Sequence, residues 1–166
     1  MPAPARPRLP PDLLAMMARG VSVIVGSRDQ ANRPSIMRAV GSDVAANGER
    51  ITVYLSRRQS RQLLQDLAAT GEVAVVFSEP ATHRSVQVKA RQTSLRQAQA
   101  SDVPVLARYL SSMEHEVQRV GYAPPVTRAM LAHQLEDVVA VSFQPEQAFD
   151  QTPGPQAGTA FTEGTA

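Results

Sequence analysis

Short segments in which apolar and polar side chains alternate most constrain the fold of this chain. Valine occupies every second position of residues 21–25, and residues 51–55 alternate Ile, Val and Leu with Thr and Tyr. A period of two residues is typical of a strand that has one face in a core. Six strands are predicted in this way, at residues 21–25, 34–40, 51–56, 73–77, 85–91 and 138–143.

Turn residues between these segments indicate how the strands are arranged. Residues 73–77 form a continuous apolar run, which favours a central strand. Pro34 lacks a backbone N–H, so residues 34–40 must begin at this proline or lie on a sheet edge. Asn47 and Gly48 end a predicted loop over residues 41–48 and form a strong hairpin signal before residues 51–56. Such hairpin-like connections predict antiparallel pairing.

Four helical segments are predicted between and after the strands. A short helix covers residues 13–18 with Asp12 as its cap, and a second begins at Ser60 and ends before Gly71. The third covers residues 103–120, and a short fourth follows near residues 127–134. One apolar stripe marks the third helix, at Val103, Leu106, Leu110, Met113, Val117 and Val120. The sequence therefore predicts an α+β, mainly β class, a six-stranded antiparallel barrel with flanking helices.

The length of 166 residues predicts one folded domain. We expect a flexible lead-in at residues 1–11, the domain at 12–150, and a loop or tail at 151–166. The chain has no Cys, which excludes disulfides, thiolate metal sites and a Cys nucleophile. It has neither an apolar run of membrane length nor the apolar core of a signal peptide. A cytoplasmic protein without a membrane partner is expected.

The net charge of +2 conceals an uneven distribution of arginine. Sixteen of the 17 basic residues are Arg, and Lys89 is the only lysine. Residues 1–99 carry 14 basic and seven acidic side chains, whereas residues 100–166 carry three and eight. A guanidinium-rich half favours an anionic ligand. A nucleic-acid partner is not expected, because among the seven aromatic residues only Tyr54 is near the densest arginine cluster.

That cluster follows the strand at residues 51–56. Ser56 ends the strand, Arg57 and Arg58 follow it, and Ser60 and Arg61 begin the next predicted helix. Free N–H groups and the dipole at a helix N-terminus favour an anion, to which Ser60 and Arg61 could add charge-assisted hydrogen bonds. A capped helix with solvated arginines is the alternative that the spacing leaves open.

Known catalytic and metal-binding motifs are absent from the sequence. It contains no GxSxG, P-loop, GxGxxG or HExxH motif, so no catalytic residue can be named. His83, His115 and His133 lack the spacing of metal ligands, and no metal site is predicted. His115 or His133 could ligate a haem, although a surface or core position is the simpler interpretation.

Three segments together resemble the pyridoxamine 5′-phosphate oxidase-like family of FMN-binding split β-barrels. Arg33-Pro-Ser-Ile-Met-Arg38 is similar to the family's Arg-x-x-x-x-Lys/Arg strand. Residues 55–62 are similar to its Tyr-Thr-Asn-x-x-Ser-Arg-Lys turn, and residues 84–90 to its Arg-Gln-Val strand. The resemblance covers residues 12–92 well and the long helix and last strand loosely. It implies that the barrel is of the split type.

The resemblance also implies an FMN site. Arg38 would meet the phosphate or ribityl region, and Ser56 and the backbone of Leu55 would approach the flavin. Ser60 and Arg61 would hold the phosphate. The remaining site residues are Gln62 beside the phosphate, and Ser85 or Gln87 against the isoalloxazine.

The function implied by the resemblance is that of a small FMN-dependent oxidoreductase with a small-molecule substrate. Members of the family are usually homodimers that hold the flavin in the subunit interface. Two departures weaken the match, since Gln62 replaces a phosphate-directed Lys and Arg57 replaces an Asn. No substrate motif of the genuine oxidase follows Val138, so oxidation of pyridoxamine phosphate is not expected. The alternatives are an F420-dependent reductase, a haem-binding barrel, and a flavin-binding barrel without turnover.

Overall fold

The computed structural model describes residues 6–162, in which four helices accompany two antiparallel sheets. The helices are α1 (Pro11–Arg19), α2 (Arg61–Thr70), α3 (Val103–Gln118) and α4 (Pro124–Met130). The strands are β1 (Ser22–Arg28), β2 (Pro34–Arg38), β3 (Gly41–Val44), β4 (Ile51–Ser56), β5 (Val73–Ser78), β6 (Ser85–Ala90), β7 (Thr93–Gln97), β8 (Val138–Phe143) and β9 (Gln147–Asp150).

The strands form one five-stranded and one four-stranded sheet. The first has the order β2-β1-β5-β6-β9 and the second the order β3-β4-β8-β7. Every neighbouring pair is antiparallel, as the hairpin-like turns predicted. The fold class of α+β with mostly sheet is therefore confirmed.

The described residues contain nine strands rather than the six predicted. The three additional strands, β3, β7 and β9, all lie at sheet edges. Residues 41–44 were predicted as loop because Gly, Ser and Asp are typical of turns, and only the pairing with β4 makes them a strand. Three of the four residues of β3 are buried, but two of them are Gly41 and Ser42, so its sequence shows no apolar alternation.

Three local predictions about the strands and their turns are confirmed. Residues 73–77 lie in β5, the middle strand of the five-stranded sheet, and Pro34 begins β2 on its edge. Asn47 and Gly48 lie between β3 and β4, where Gly48 has a φ of +72°.

One apolar core lies between the two sheets. Alternate residues of β1, β5 and β6 enter it from one side, and alternate residues of β4 and β8 from the other. These are Val23, Val25, Val73, Val75, Phe77, Val86, Val88, Ala90, Ile51, Val53, Leu55, Val139, Val141 and Phe143. The face of the five-stranded sheet that points away from this core is called the outer face below.

Two helices close the ends of this core. Leu63 and Leu67 of α2 belong to the core, and Gly71 ends the helix in the left-handed conformation, as predicted. On α3 the buried Tyr109 hydroxyl donates to the carbonyl of Val21 at 2.7 Å, which ties this helix to the start of β1.

Helix ends differ from the prediction in two places. Asp12 lies inside the first turn of α1, with Pro10 before the helix, and its carboxylate pairs with Arg84 rather than capping. Helix α4 begins at Pro124 and ends at Met130, earlier than the predicted residues 127–134. Proline is favoured in the first helical turn because those N–H groups need no intrahelical partner.

The chain ends reach into the fold. Leu9 is buried in the core, and Phe161 packs against it after Ala160 bridges to Phe149 of β9. The first five residues of the predicted lead-in and the last four of the predicted tail lie outside the described residues.

Candidate functional site

The turn between β4 and α2 is built around one carboxylate. Asp137, the last residue of a 3₁₀ turn before β8, accepts a 2.7 Å hydrogen bond from Ser56 Oγ at Oδ2. Its Oδ1 accepts the Arg58 N–H at 3.2 Å, and its backbone carbonyl accepts the Arg57 N–H at 2.7 Å. The hydrogen bond from Ser56 is the main reason that the pKa of Asp137 lies below its usual value. The strand end is thereby held in one conformation.

Ser60 occupies the position before α2 but does not cap it. The residue is 2% exposed, and its Oγ has no hydrogen-bond partner among the described residues. Its backbone N–H donates to the Ser56 carbonyl at 2.9 Å. The first N–H groups of a helix lack partners within the helix, so a buried free hydroxyl beside them favours an external acceptor such as an anion.

The two residues after Ser60 differ in whether their side chains already have hydrogen-bond partners. Arg61 is exposed, and within residues 6–162 its side chain makes no hydrogen bond or ion pair. Gln62 donates through Nε2 to Asp66 Oδ1 at 2.9 Å, and Ser35 on β2 donates to Oδ2 of the same carboxylate at 2.5 Å. Arg61 is therefore available to a ligand, whereas the Gln62 side chain is engaged with Asp66, which in turn joins α2 to Ser35 of β2.

Leu55 can contribute only its backbone to a ligand. Its side chain is fully buried in the core, and the residue pairs with Val139 of β8. The neighbouring Ser56 hydroxyl is already engaged with Asp137. A contact of either side chain with a flavin ring, which the resemblance implied for Ser56, would require the turn to rearrange.

The remaining predicted residues lie on the outer face of the five-stranded sheet. Arg38 Nη1 donates to Ser22 Oγ at 2.7 Å. Ser22, Ser78 and Ser85 stand in register across β1, β5 and β6, and the Oγ atoms of Ser78 and Ser85 are 2.7 Å apart. We call these three serines with Arg38 the serine row.

Gln87 lies two residues after Ser85 on the same face. It is half-buried and stands opposite Val76 on one side and Phe149 on the other. Its side chain makes no hydrogen bond among the described residues, so its amide is free to meet a ligand or a partner.

The structure thus divides the predicted site into two groups. The turn brings together Ser56, Ser60 and Arg61, with Gln62 beginning the helix. The serine row and Gln87 belong to the other sheet. Within residues 6–162 no hydrogen bond or ion pair joins the turn residues directly to the serine row.

One buried polar cluster was missed by the sequence analysis. Tyr54 donates to Asp102 Oδ1 at 2.8 Å, and Arg96 grips the same carboxylate through Nη1 and Nη2 at 2.7 and 2.8 Å. Arg96 holds the pKa of Asp102 well below its usual range, while burial raises the pKa of Tyr54. Tyr54 is therefore a structural residue. Asp102 is 48 residues away from it, and no motif signals their contact.

Asp137 was missed for the same reason. It precedes a predicted strand and lies 81 residues from Ser56. A lone acidic residue before a strand is common, so nothing in the sequence marks it as the partner of the arginine-rich turn.

The histidines lie away from the turn. His83 and His115 are exposed, and His133 Nδ1 is 2.8 Å from the carbonyl of Leu131. Across residues 6–162 no three metal-ligating side chains are close enough to share an ion. Over the same residues, every helix is too short or too polar to traverse a bilayer.

Two antiparallel sheets enclose the main apolar core, and helices flank it. No protein-family model matches the sequence, and no curated protein matches it. Solved structures do match. An F420 reductase superposes with a TM-score of 0.58 at 14% identity, over 84% of this chain and 98% of that chain.

Two further solved structures match this chain, one described as an oxidase and one as a heme binding protein. A candidate pyridoxamine 5′-phosphate oxidase from Lactobacillus delbrueckii has a TM-score of 0.54 at 12% identity, over 86% of this chain and 93% of that one. A heme binding protein from Mycobacterium smegmatis has a TM-score of 0.52 at 9% identity, over 92% of this chain and 57% of that one. At such identities the similarity shows the fold, and this chain has the pyridoxamine 5′-phosphate oxidase-like fold.

Proposed function

We propose that this protein binds FMN, with the phosphate at the turn between β4 and α2, and acts as a small flavin-dependent oxidoreductase. The observation that carries this proposal is the buried hydroxyl of Ser60, which has no hydrogen-bond partner among the described residues although it stands at the N-terminus of a ten-residue helix. A phosphate oxygen would satisfy that hydroxyl and the free N–H groups together.

The charges around Ser60 suit a phosphate. Arg61 is unpaired among the described residues, and Arg57 and Arg58 stand in the same turn. Arg58 is 3.6 Å from Asp137 with 69% of its side chain exposed, so this weak pair leaves it able to reorient. Gln62 stands where the family pattern has a lysine, but it is bound to Asp66 and supplies no charge, so Arg61 would be the main phosphate contact.

These positions indicate what bound FMN and what the chain would each contribute. Bound FMN would supply the hydride chemistry, and the chain would supply anchoring, orientation and shielding from water. Ser60 and Arg61 would hold the phosphate, and the backbone at Leu55 would border the ring system. Tyr54 and Asp102 are engaged with each other and with Arg96, so neither is assigned a proton-transfer role.

A homodimer would complete this site. The outer face carries Ile36 on β2, with 68% of its surface exposed, and half-buried Ile24, Val76 and Phe149 on other strands of the sheet. An apolar sheet face left open to water is unusual in a monomer and favours a protein partner. We propose that a second copy covers it, which would bring Ser85 and Gln87 of the partner subunit towards the flavin.

The full-length protein tests this proposal directly. After purification and incubation with FMN, we expect visible flavin absorbance to co-elute with protein at the native mass of a dimer. A protein that stays colourless after incubation would overturn the flavin proposal, and a monomeric native mass would overturn the dimer.

The same experiment includes two other cofactors, because the structural neighbours include an F420 reductase and a heme binding protein. Incubation with F420 or with haem, under identical conditions, gives competing outcomes. A Soret band, or retention of F420 in preference to FMN, would replace FMN with that cofactor.

A further inference from the structure

A second concave site lies away from the turn and the serine row. It is a cleft of about 890 Å³ between the N-terminal segment, the connection from β6 to β7, and the end of β8. Its lining includes four arginines and a threonine, namely Arg6, Arg50, Arg91, Arg96 and Thr93. We call this site the arginine cleft.

The arginine cleft and the proposed flavin site lie at opposite ends of β4. Arg50 precedes the first residue of this strand, whereas Ser56 is its last residue. Helix α2 spans the same distance, since it begins after Ser60 and ends at Gly71, whose backbone lies against the carbonyl of Arg91. A ligand in the cleft would therefore be separate from a flavin at the turn.

Four arginines line the cleft, and the Arg50 side chain makes no hydrogen bond or ion pair within residues 6–162. Among the described residues that line it, Glu146 is the one acidic residue, and its carboxylate is 3.9 Å from Arg91 Nε. Arg96 is paired with Asp102, which lies outside the lining. Arg6 reaches Gln144 at 3.2 Å and the exposed Glu49 at 3.3 Å. These contacts leave Arg50 and Arg91 with most of their hydrogen-bonding capacity unused.

One guanidinium of the cleft is fixed in place before any ligand arrives. The Arg96 side chain is held by two hydrogen bonds to Asp102, at 2.7 and 2.8 Å. Thr93 also lines the cleft, but its Oγ1 is buried, and the residue stands opposite Phe143 on the core face of β7. Its hydroxyl is therefore not counted among the groups that a ligand would meet.

The size and lining of the cleft indicate the kind of ligand. Its volume lies within the range of small-molecule sites, roughly 300–1,000 Å³, and exceeds what a single phosphate needs. Arginine binds phosphate oxygens through paired N–H groups, and several guanidiniums match several phosphates. Phe143 and Pro145 add apolar surface to the lining.

From these observations we propose that the arginine cleft binds the oligophosphate group of a small molecule. A nucleoside diphosphate or triphosphate has this chemistry, and so does inorganic tripolyphosphate. Arg50 and Arg91 contact the phosphate oxygens, and Arg96, already paired with Asp102, borders the site. The proposal is independent of the flavin site.

Calorimetric titration of the full chain with tripolyphosphate and with ATP tests the proposal. We expect both to bind, and the double variant Arg50→Gln/Arg91→Gln to weaken binding by about tenfold or more, the loss of at least one charge-assisted hydrogen bond. The control Arg108→Gln/Arg128→Gln removes the same charge from surface pairs outside the cleft and should bind nearly as tightly as the wild type.

The comparison of the two probes identifies the ligand further. If ATP binds more tightly than tripolyphosphate, the nucleoside also contacts the cleft. If the two bind equally, the phosphates alone account for binding. Both outcomes support the proposal. No binding of either probe, or equal losses in the two double variants, overturns it. Tighter binding of a single-stranded oligonucleotide than of ATP, lost in the cleft variant, also overturns it in favour of a nucleic acid.

FMN retention should be unaffected in the Arg50→Gln/Arg91→Gln variant, because the arginine cleft lies away from the turn between β4 and α2.

Discussion

The hydroxyl of Ser56 donates a 2.7 Å hydrogen bond to Asp137 and so joins the last residue of β4 to the residue before β8. Asp137 also accepts the backbone N–H groups of Arg57 and Arg58. This one residue therefore sets the path of the chain into α2, and with it the position of Ser60. The proposed phosphate site depends on a carboxylate that does not itself face the phosphate.

The substitution Asp137→Ala should disorder the turn. It removes both side-chain acceptors, so the melting temperature is expected to fall by a few degrees and FMN retention to weaken. The control Asp137→Asn keeps one acceptor oxygen in place, so its melting temperature and its FMN retention should both fall less. Thermal melts and FMN titration measure the two effects. Wild-type FMN affinity in Asp137→Ala would show that the turn does not position the phosphate contacts.

The double substitution Ser60→Ala/Arg61→Ala should release FMN without harming the fold. A working serine cap contributes about 1 kcal/mol, but the Ser60 hydroxyl makes no capping bond, so stability should change by less than about 0.5 kcal/mol. FMN affinity should fall by about tenfold or more, because charge-assisted bonds contribute about 1.5–3 kcal/mol each.

A matched control for this pair is Ser35→Ala. Its hydroxyl donates to Asp66, so its loss should lower the free energy of unfolding by about 1 kcal/mol while FMN affinity remains near that of the wild type. Urea unfolding and FMN titration of both variants provide the comparison. If Ser60→Ala/Arg61→Ala keeps wild-type affinity, the phosphate binds elsewhere.

The contribution of Asp102 to stability should depend on pH. Arg96 lowers its pKa in the folded state below the ordinary value of 3.8, so the ionised carboxylate stabilises the fold at neutral pH. This stabilisation is present above about pH 4 and is lost as the pH falls towards the folded-state pKa. At pH 7 we expect Asp102→Asn to lower the free energy of unfolding by about 1–3 kcal/mol.

Urea midpoints at pH 7 and pH 3 measure this dependence. The gap between wild type and Asp102→Asn should shrink at pH 3, and a gap of equal size at both values would contradict the assignment. Asp43→Asn serves as the control, because its pair with Arg108 is half-exposed and contributes little at either pH.

The proposed dimer should dissociate when a charge is placed on the outer face. Ile36 is mostly exposed in one chain, so Ile36→Lys should fold normally but resist burial against a second copy. Native mass measurements should report a monomer for this variant. Tyr122→Lys, at an exposed aromatic residue beyond α3, is the control and should remain dimeric. A dimeric Ile36→Lys protein would place the interface elsewhere.

Gly71 should not tolerate a side chain. Its φ is +71°, and a Cβ would lie 2.8 Å from the carbonyl oxygen of Arg91. We expect Gly71→Ala to lower the free energy of unfolding by at least about 1–2 kcal/mol, measured by urea unfolding. Gly121→Ala, where φ is +96° but no atom lies within 4 Å, should lose less. Equal losses would show that the contact with Arg91 is relieved by movement of the chain.

Local patterns predicted the parts of the fold that depend on nearby residues. Alternation located β1, β4 and β6, the apolar run located β5, and Gly71 marked the end of α2. The edge strands β3 and β7 were missed because their pairing partners, β4 and β8, rather than their own side chains, make them strands. The homodimer, the cofactor and the domain boundaries remain predictions.

The sequence by itself determined that the chain forms antiparallel sheets with flanking helices, and that Ser60 and Arg61 stand at the start of a helix after a strand. Backbone conformation and the periodicity of burial are encoded by neighbouring residues, so these features could be derived without a structure. Only the tertiary structure decided which polar groups remain unpartnered. Asp137 accepts the Ser56 hydroxyl and Asp66 accepts the Gln62 amide, whereas the Ser60 hydroxyl has no partner within residues 6–162. The partner of Ser56 lies 81 residues away, and contacts across such distances follow from packing rather than from local pattern.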